Sequence, residues 1–114
     1  MRLYIATRTE EDGPQVSVQD VEKATSYPLK HILRHSPNGF EWHYGGSGPA
    51  DLALSILADY FGEQDIDPAS FLYKTRSERL YQAFKWRFIA PAPRGDWILA
   101  EGDITAWLKH EGEI

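Results

Sequence analysis

The residues that could do chemistry fall in two places along the chain. Residues 45–51, Gly-Gly-Ser-Gly-Pro-Ala-Asp, form a glycine hinge in front of a helical pattern. Free N–H groups and a helix dipole there could receive a phosphate or a carboxylate, which makes Gly45, Gly46, Ser47 and Gly48 the candidate ligand-binding residues. The spacing is neither the dinucleotide fingerprint nor a P-loop, no lysine follows, and Asp51 places a negative charge in the expected first turn. A structural strand-to-helix turn is the reading these residues favour, with a small-ligand or enzyme pocket at the hinge as the alternative. The second place is the aromatic and basic run that holds Tyr73, Lys74, Arg76, Arg79, Tyr81, Lys85, Trp86 and Arg87. On a helical wheel Arg79, Gln82 and Trp86 fall together, and with Lys85 they are the candidate partner-binding residues. Trp buries a large apolar area and Arg offers a forked set of donors, so the two dominate protein interfaces. The same pair can stack on bases and neutralise phosphates, so residues 74–87 are also a candidate nucleic-acid segment. Trp86 as a core residue of a distorted helix is the competing reading.

Other combinations fall short of a reaction. Glu41 and His43 share a strand face with His35 nearby, but two ligands at that spacing are half a metal site, so solvated side chains are expected and no metal. Asp51 and Asp59 stand eight helical residues apart, about 12 Å along an axis rising 1.5 Å per residue. That exceeds the roughly 5 to 9.5 Å between glycosidase carboxylates. Ser36 and Ser47 flank the aromatic segment with His35 near in sequence, yet adjacency in a chain is not hydrogen-bond geometry. Ser36 before Pro37 reads as a turn residue. No catalytic residue and no cofactor is assigned.

These side chains must be positioned by a small number of elements. Leu3, Ile5 and Thr7 alternate with Tyr4, Ala6 and Arg8, and Val16 and Val18 alternate with polar neighbours; with the turn-rich residues 9–14 between them they predict an N-terminal hairpin. Residues 20–38, broken by Pro28 and Pro37, suggest one turn of helix at most. Phe40, Trp42 and Tyr44 alternate with Glu41 and His43, which predicts a strand with three rings facing the core. Ser47 or Gly48 can cap the helix that follows, with Pro49 at its first position. Over residues 50–61, Ala53, Ile56, Leu57, Tyr60 and Phe61 share one face, while Asp51, Ser55 and Asp59 recur on the opposite side; Gly62 ends the helix. A second helix starts near Thr75 or Ser77 and turns Ser77, Leu80, Tyr81, Phe84 and Phe88 inward. Residues 97–99 form a short strand, and a last helix over residues 103–110 packs Ile104, Trp107 and Leu108.

Composition bounds the class. The chain has 114 residues, 42% of them hydrophobic and 13% aromatic, enough for one globular domain, residues 1–114, and no second core. It has no cysteine, which removes disulfides, thiolate zinc sites and cysteine nucleophiles and fits a reducing cytoplasm. No run approaches the roughly 18 apolar residues of a membrane span, and the N-terminal residues lack the apolar core of a signal peptide, so the expected location is the cytoplasm, away from membranes. A net charge of -5 speaks against a surface that is generally attractive to polyanions. Acids nevertheless dominate residues 51–67 and bases residues 74–94.

The run HSPNGFEWHYGGSGPADLALSILADYFG, followed by LYQAFKWRFIA and by Trp97, Ile104, Trp107 and Leu108, resembles an uncharacterised bacterial and phage family catalogued as a domain of unknown function. The resemblance covers nearly the whole chain. It implies a small single-domain protein often encoded on mobile elements, and it carries no catalytic residues with it. In that pattern the position of His43 is usually glycine, and Ala100 stands where a helix-capping threonine is common, which implies a last helix weaker at its N-terminus by about 1 kcal/mol. The sequence therefore predicts an α+β fold: a small antiparallel sheet, made of the N-terminal hairpin plus the central aromatic strand, packed against two to three helices. The function expected of it is non-enzymatic protein binding by an accessory protein of phage or mobile-element origin. Its partner would be an unidentified host or element-encoded protein, and inhibition of a host defence system is one form this could take. Nucleic-acid binding and a small-ligand or enzyme pocket remain the alternatives.

Overall fold

Strands β1 (Arg2–Thr9) and β2 (Gly13–Asp20) pair antiparallel from Arg2↔Asp20 to Thr9↔Gly13, which is the hairpin the alternating pattern predicts. The computed structural model describes residues 1–70 and 73–114. Two further strands, β3 (Thr25–Pro28) and β4 (Trp97–Ala100), complete a four-stranded antiparallel sheet in the order β3-β2-β1-β4. Tyr4, Ala6, Val16, Val18 and Leu99 are buried on its inner face, whereas Leu3, Ile5 and Ile98 stand on the other. Over the inner face lie α1 (Ser47–Phe61), bonded through Asp59 to β1 and β3, and α3 (Glu101–His110), while α2 (Arg76–Phe84) and the π-helical turn (Lys85–Ile89) that continues it pack on α1. The fold is α+β, as expected. No helix among the described residues is long and apolar enough to cross a membrane.

The central aromatic strand is not formed. Residues 40–44 run outside the sheet: Phe40 and Trp42 are buried as predicted, but Tyr44 is exposed. Both edges of β1 are taken, by β2 and β4, and this segment pairs with neither of the outer strands. Its polar groups bond instead to the chain beyond α2. The His43 N–H donates to Ile89 O at 3.1 Å, and the Trp42 indole N–H reaches the carbonyls of Arg94 and Gly95, each at 3.0 Å. The backbone turns at His43, where φ is 81°, a conformation natural to glycine and unfavourable for a side chain by about 1–2 kcal/mol. That is a physical reason for the glycine the resemblance implies at this position. The fourth strand comes from residues 25–28, whose exposed side chains carry no apolar alternation by which to recognise it.

Helix α1 is buried along its whole circumference from Gly48 to Asp59. The stripe Asp51, Ser55 and Asp59, which the sequence pattern turns to solvent, faces protein instead. Asp51 accepts from the backbone N–H of His35 and Ser36, both at 2.9 Å, from Arg34 N–H at 3.3 Å and from His31 Nε2 at 2.8 Å. Ser55 Oγ accepts from Ile32 N–H at 3.0 Å. Asp59 takes the Tyr4 hydroxyl at 2.7 Å, the Tyr27 hydroxyl at 2.6 Å and Arg2 Nη1 at 3.3 Å. Burial and then the Asp59 bond push the Tyr4 phenol well above its ordinary range and that of Tyr27 up to about 12, so both remain neutral donors. Gly62, at φ 71°, closes the helix with its N–H on the carbonyls of Ala58 and Asp59.

Helix α2 starts at a capping box in which Thr75 Oγ1 accepts from Glu78 N–H while Glu78 Oε1 accepts from Thr75 N–H. Helix α3 follows β4 without a loop and packs Ile104, Trp107 and Leu108 inward. Its N-cap is Ala100, in extended geometry with no side-chain cap bond.

Two outcomes follow. Ala100→Thr supplies the missing acceptor and should raise stability by about 1 kcal/mol, seen as a thermal midpoint a few °C higher. Asp51→Ala strips the acceptor from several buried backbone donors and should cost more than about 3 kcal/mol in urea unfolding, at about 1–3 kcal/mol per stranded group.

Candidate functional site

The hinge and the basic-aromatic segment, far apart in sequence, meet in space. The Trp86 ring lies on Gly45: a Cβ built there would come within 2.1 Å of its Cη2. Tyr44 lies likewise against Gly46, where a Cβ would meet Cε2 at 2.4 Å, and a Cβ on Gly48 would press on Glu41 Cβ at 2.7 Å. Each hinge glycine is thus a point of close approach, and α1 begins at once, at Ser47 behind an N-cap Gly46 with no side-chain cap bond. The helix starts earlier than the sequence pattern indicates, so Asp51 lies beyond the first turn, which carries no acid. Its carboxylate is spent on residues 31–36 and does not oppose an anion at the hinge.

Trp86 is 61% exposed and Tyr44 52%, so two aromatic rings, each braced on the backbone of a hinge glycine, stand at the surface. Arg79 and Gln82 are also exposed, as their wheel position requires. Lys85 is not. It follows Tyr81 by four residues and so shares the inner face of the helix; only 7% of it is accessible. Its stem is buried, and its Nζ donates to Gly45 O at 3.1 Å while lying 4.6 Å from the Trp86 ring centroid. Lys85 is therefore corrected from a surface contact to a strut that ties the π-helical turn to the hinge. The turn itself, closed by Ala90 N–H on Lys85 O at 2.9 Å, adds one residue to the helical period and brings Ile89 into the core while Trp86 points out. A hollow of about 250 Å³ lies beside these groups, lined by His35, Gly45, Gly46, Ser47, Gln82 and Lys85.

The other chemistry-bearing residues are engaged elsewhere. His35 Nε2 is hydrogen-bonded to the Tyr81 hydroxyl at 2.9 Å, and His43 Nδ1 donates to Ala92 O at 2.8 Å. Glu41 is clamped by Arg8, at 2.7 Å and 3.1 Å, and the Arg8 guanidinium covers the Trp42 ring at 4.5 Å. The Arg8 bonds hold the Glu41 carboxyl below the ordinary carboxylate range. Ser36 donates its hydroxyl to Gly39 O, the turn role expected of it. His35, Glu41 and His43 therefore do not converge, and among the described residues no group of three His, Asp or Glu side chains is placed to hold a metal ion. Tyr44 belongs to the surface patch although the strand pattern assigned it to the core; its place directly before two glycines was the available signal.

A family model matches residues 4–110. The chain belongs to DUF6166, a family of unknown function. The DUF6166 match takes in both the hinge and the Trp86 segment. Comparison with curated proteins and with solved structures finds no match.

The two ends of the hinge should respond differently to a methyl group. Gly45→Ala meets only the outer end of an exposed ring, so it should leave stability within about 1 kcal/mol while shifting Trp86 fluorescence. Gly48→Ala meets the Cβ and backbone of half-buried Glu41, which cannot swing aside as a side-chain tip can, and overpacking of this kind costs about 1–3 kcal/mol. Urea unfolding and emission spectra of the two variants check this.

Proposed function

We propose that this protein acts by binding rather than by catalysis, and that it engages a protein partner through Trp86 and Tyr44, with Gln82 and Arg79 beside them. The observation that carries the reading is the bracing of two exposed rings on glycine backbone, one of them held further by the Lys85 ammonium. An aromatic ring fixed before contact loses little conformational entropy on docking, and Trp, Tyr and Arg are the side chains that concentrate binding energy at interfaces. The resemblance to a bacterial and phage family supports a mobile-element setting, in which the partner is encoded by the host or by the element and inhibition of a host defence system is one such role. A small-ligand pocket has less support, since the hollow of about 250 Å³ falls under the ordinary range of about 300–1,000 Å³. A nucleic-acid role loses Lys85 as a phosphate contact because that side chain is buried.

Pulldown of the tagged protein from bacterial lysate tests the reading. Wild type should recover a protein that Trp86→Ala and Tyr44→Ala each lose by about 30-fold, the value of a contact worth about 2 kcal/mol, while Val21→Ala keeps it. Recovery of no protein at any salt, recovery indifferent to Trp86→Ala, or capture only of nucleic acid that salt removes steeply, would each refute it.

A further inference from the structure

We propose that the hollow between the C-terminal end of α1 and the exposed side of α3 binds a small aromatic oxyanion, a ring that carries a phosphate or carboxylate group. The hollow measures about 700 Å³, within the range of about 300–1,000 Å³ ordinary for small-molecule sites, and it shares no lining residue with the hinge. Tyr60 and Phe61 of α1, Thr105, Ala106 and Lys109 of α3, and Arg76 at the start of α2 stand in its wall.

The apolar part of that wall is preformed. The Tyr60 and Phe61 rings lie edge to face with centroids 5.0 Å apart, and the Tyr60 hydroxyl and Thr105 Oγ1, separated by 2.7 Å, tie α1 to α3. Thr105 spends its own proton on Glu101 O at 3.2 Å, so Tyr60 is the donor of that pair and its ring is held in place. A fixed corner of two rings suits a flat apolar body.

Charge sets the rest of the ligand. The lining carries three cations, Arg2, Arg76 and Lys109, against Glu101 as its one acid. Arg2 is already used: its Nη1 donates to Asp59 O at 2.8 Å and lies 3.3 Å from Asp59 Oδ1. Arg76 and Lys109 are not. Among the described residues neither side chain makes a hydrogen bond or a salt bridge, so a purely structural role accounts for Arg2 and leaves these two unexplained. The Arg76 guanidinium lies 4.2 Å from the Phe61 ring centroid, a contact that holds the group at the wall and leaves its N–H donors open. An open guanidinium fork matches the paired oxygens of a carboxylate or phosphate, and the Lys109 ammonium on the same hollow adds to the attraction. An inorganic ion would leave the rings uncovered, and a neutral ring would leave both cations unanswered. A ring and an oxyanion in one molecule use the whole wall.

Titration of the isotope-labelled full chain with phenyl phosphate and with benzoate, followed by backbone amide shifts, tests the assignment. Inorganic phosphate, acetate and phenol serve as the separate halves. Shifts should centre on Gly102, Thr105 and Ala106, and one of the aromatic anions should bind about tenfold or more tighter than either of its halves. Whichever aromatic anion binds tighter identifies the site as one for a phosphate ester or for a carboxylate. Arg76→Gln and Lys109→Gln should each weaken that binding by about fivefold or more, and Ala106→Leu, which fills the hollow from an exposed position with little loss of helix propensity, should abolish it. Arg94→Gln and Trp86→Ala should bind as wild type, which separates this hollow from the surface in general and from the partner site. The same spectra show that each variant is folded, and if Ala106→Leu is not, the two charge variants read the same contact. No saturable shift up to about 20 mM, inorganic phosphate or acetate binding as tightly as the aromatic anions, shifts centred elsewhere, or affinity indifferent to both Arg76→Gln and Lys109→Gln overturns the proposal.

Discussion

Three polar side chains spaced four residues apart on α1 hold this structure in register. A carboxylate taken out of water is costly unless every acceptor is used, and Asp51 and Asp59 are both buried and both fully engaged. Asp51 and Ser55 collect the backbone N–H groups of Ile32, Arg34, His35 and Ser36, in a stretch with no regular structure of its own, and fasten it along the helix. Asp59, two turns on, takes hydroxyls from β1 and β3 and the guanidinium of Arg2. The helix is thereby fixed to the sheet at one end and to the irregular segment at the other. Apolar packing alone would tolerate sliding by a turn; these bonds do not, because a shift strands several buried donors at once.

That register places the surface patch. Once α1 cannot slide, its N-terminus fixes the hinge, and the hinge glycines fix how closely Trp86 and Tyr44 approach. Trp42 anchors the preceding segment from beneath, edge-on to Trp97 of β4 at 5.9 Å, with Arg8 above it and Glu41 clamped to the same arginine. The buried pair of Arg34 and Glu78, 2.7 Å apart, joins the irregular segment to α2. Burial alone would raise the Glu78 carboxyl, but the Arg34 and Thr75 bonds hold it below its ordinary range. The cap of α2 and the Asp51-bound loop are consequently parts of one network, and α2 delivers Trp86 to the hinge from the other side.

Much of this was legible in the chain. The hairpin, the helix ending at Gly62, the capped second helix, the short strand and the last helix follow from apolar period and from cap and turn residues, which act over a few neighbours. The wheel grouped Arg79, Gln82 and Trp86 on one face but left open whether Trp86 stands at the surface or in the core; the structure puts it at the surface. Lys85 and Tyr44 did not come out correctly. The wheel position of Lys85, four residues after Tyr81, already pointed inward, and its polarity masked that. Tyr44 continued an alternation that the turn at His43 interrupts.

Sequence by itself determined the class of fold and most of its elements, because helix and strand period, glycine and proline are local constraints. Only the tertiary structure decided whether a polar stripe meets water or protein, which strand fills the second edge of β1, and which distant segments touch. Asp51, Ser55 and Asp59 read as a solvated face because polarity by itself does not reveal a partner. Their partners are backbone amides and tyrosine hydroxyls up to 55 residues away, and no local pattern encodes them. The meeting of Gly45 with Trp86 is of the same kind: two short signals, each weak alone, joined by a helix whose register is set through hydrogen bonds from the rest of the chain.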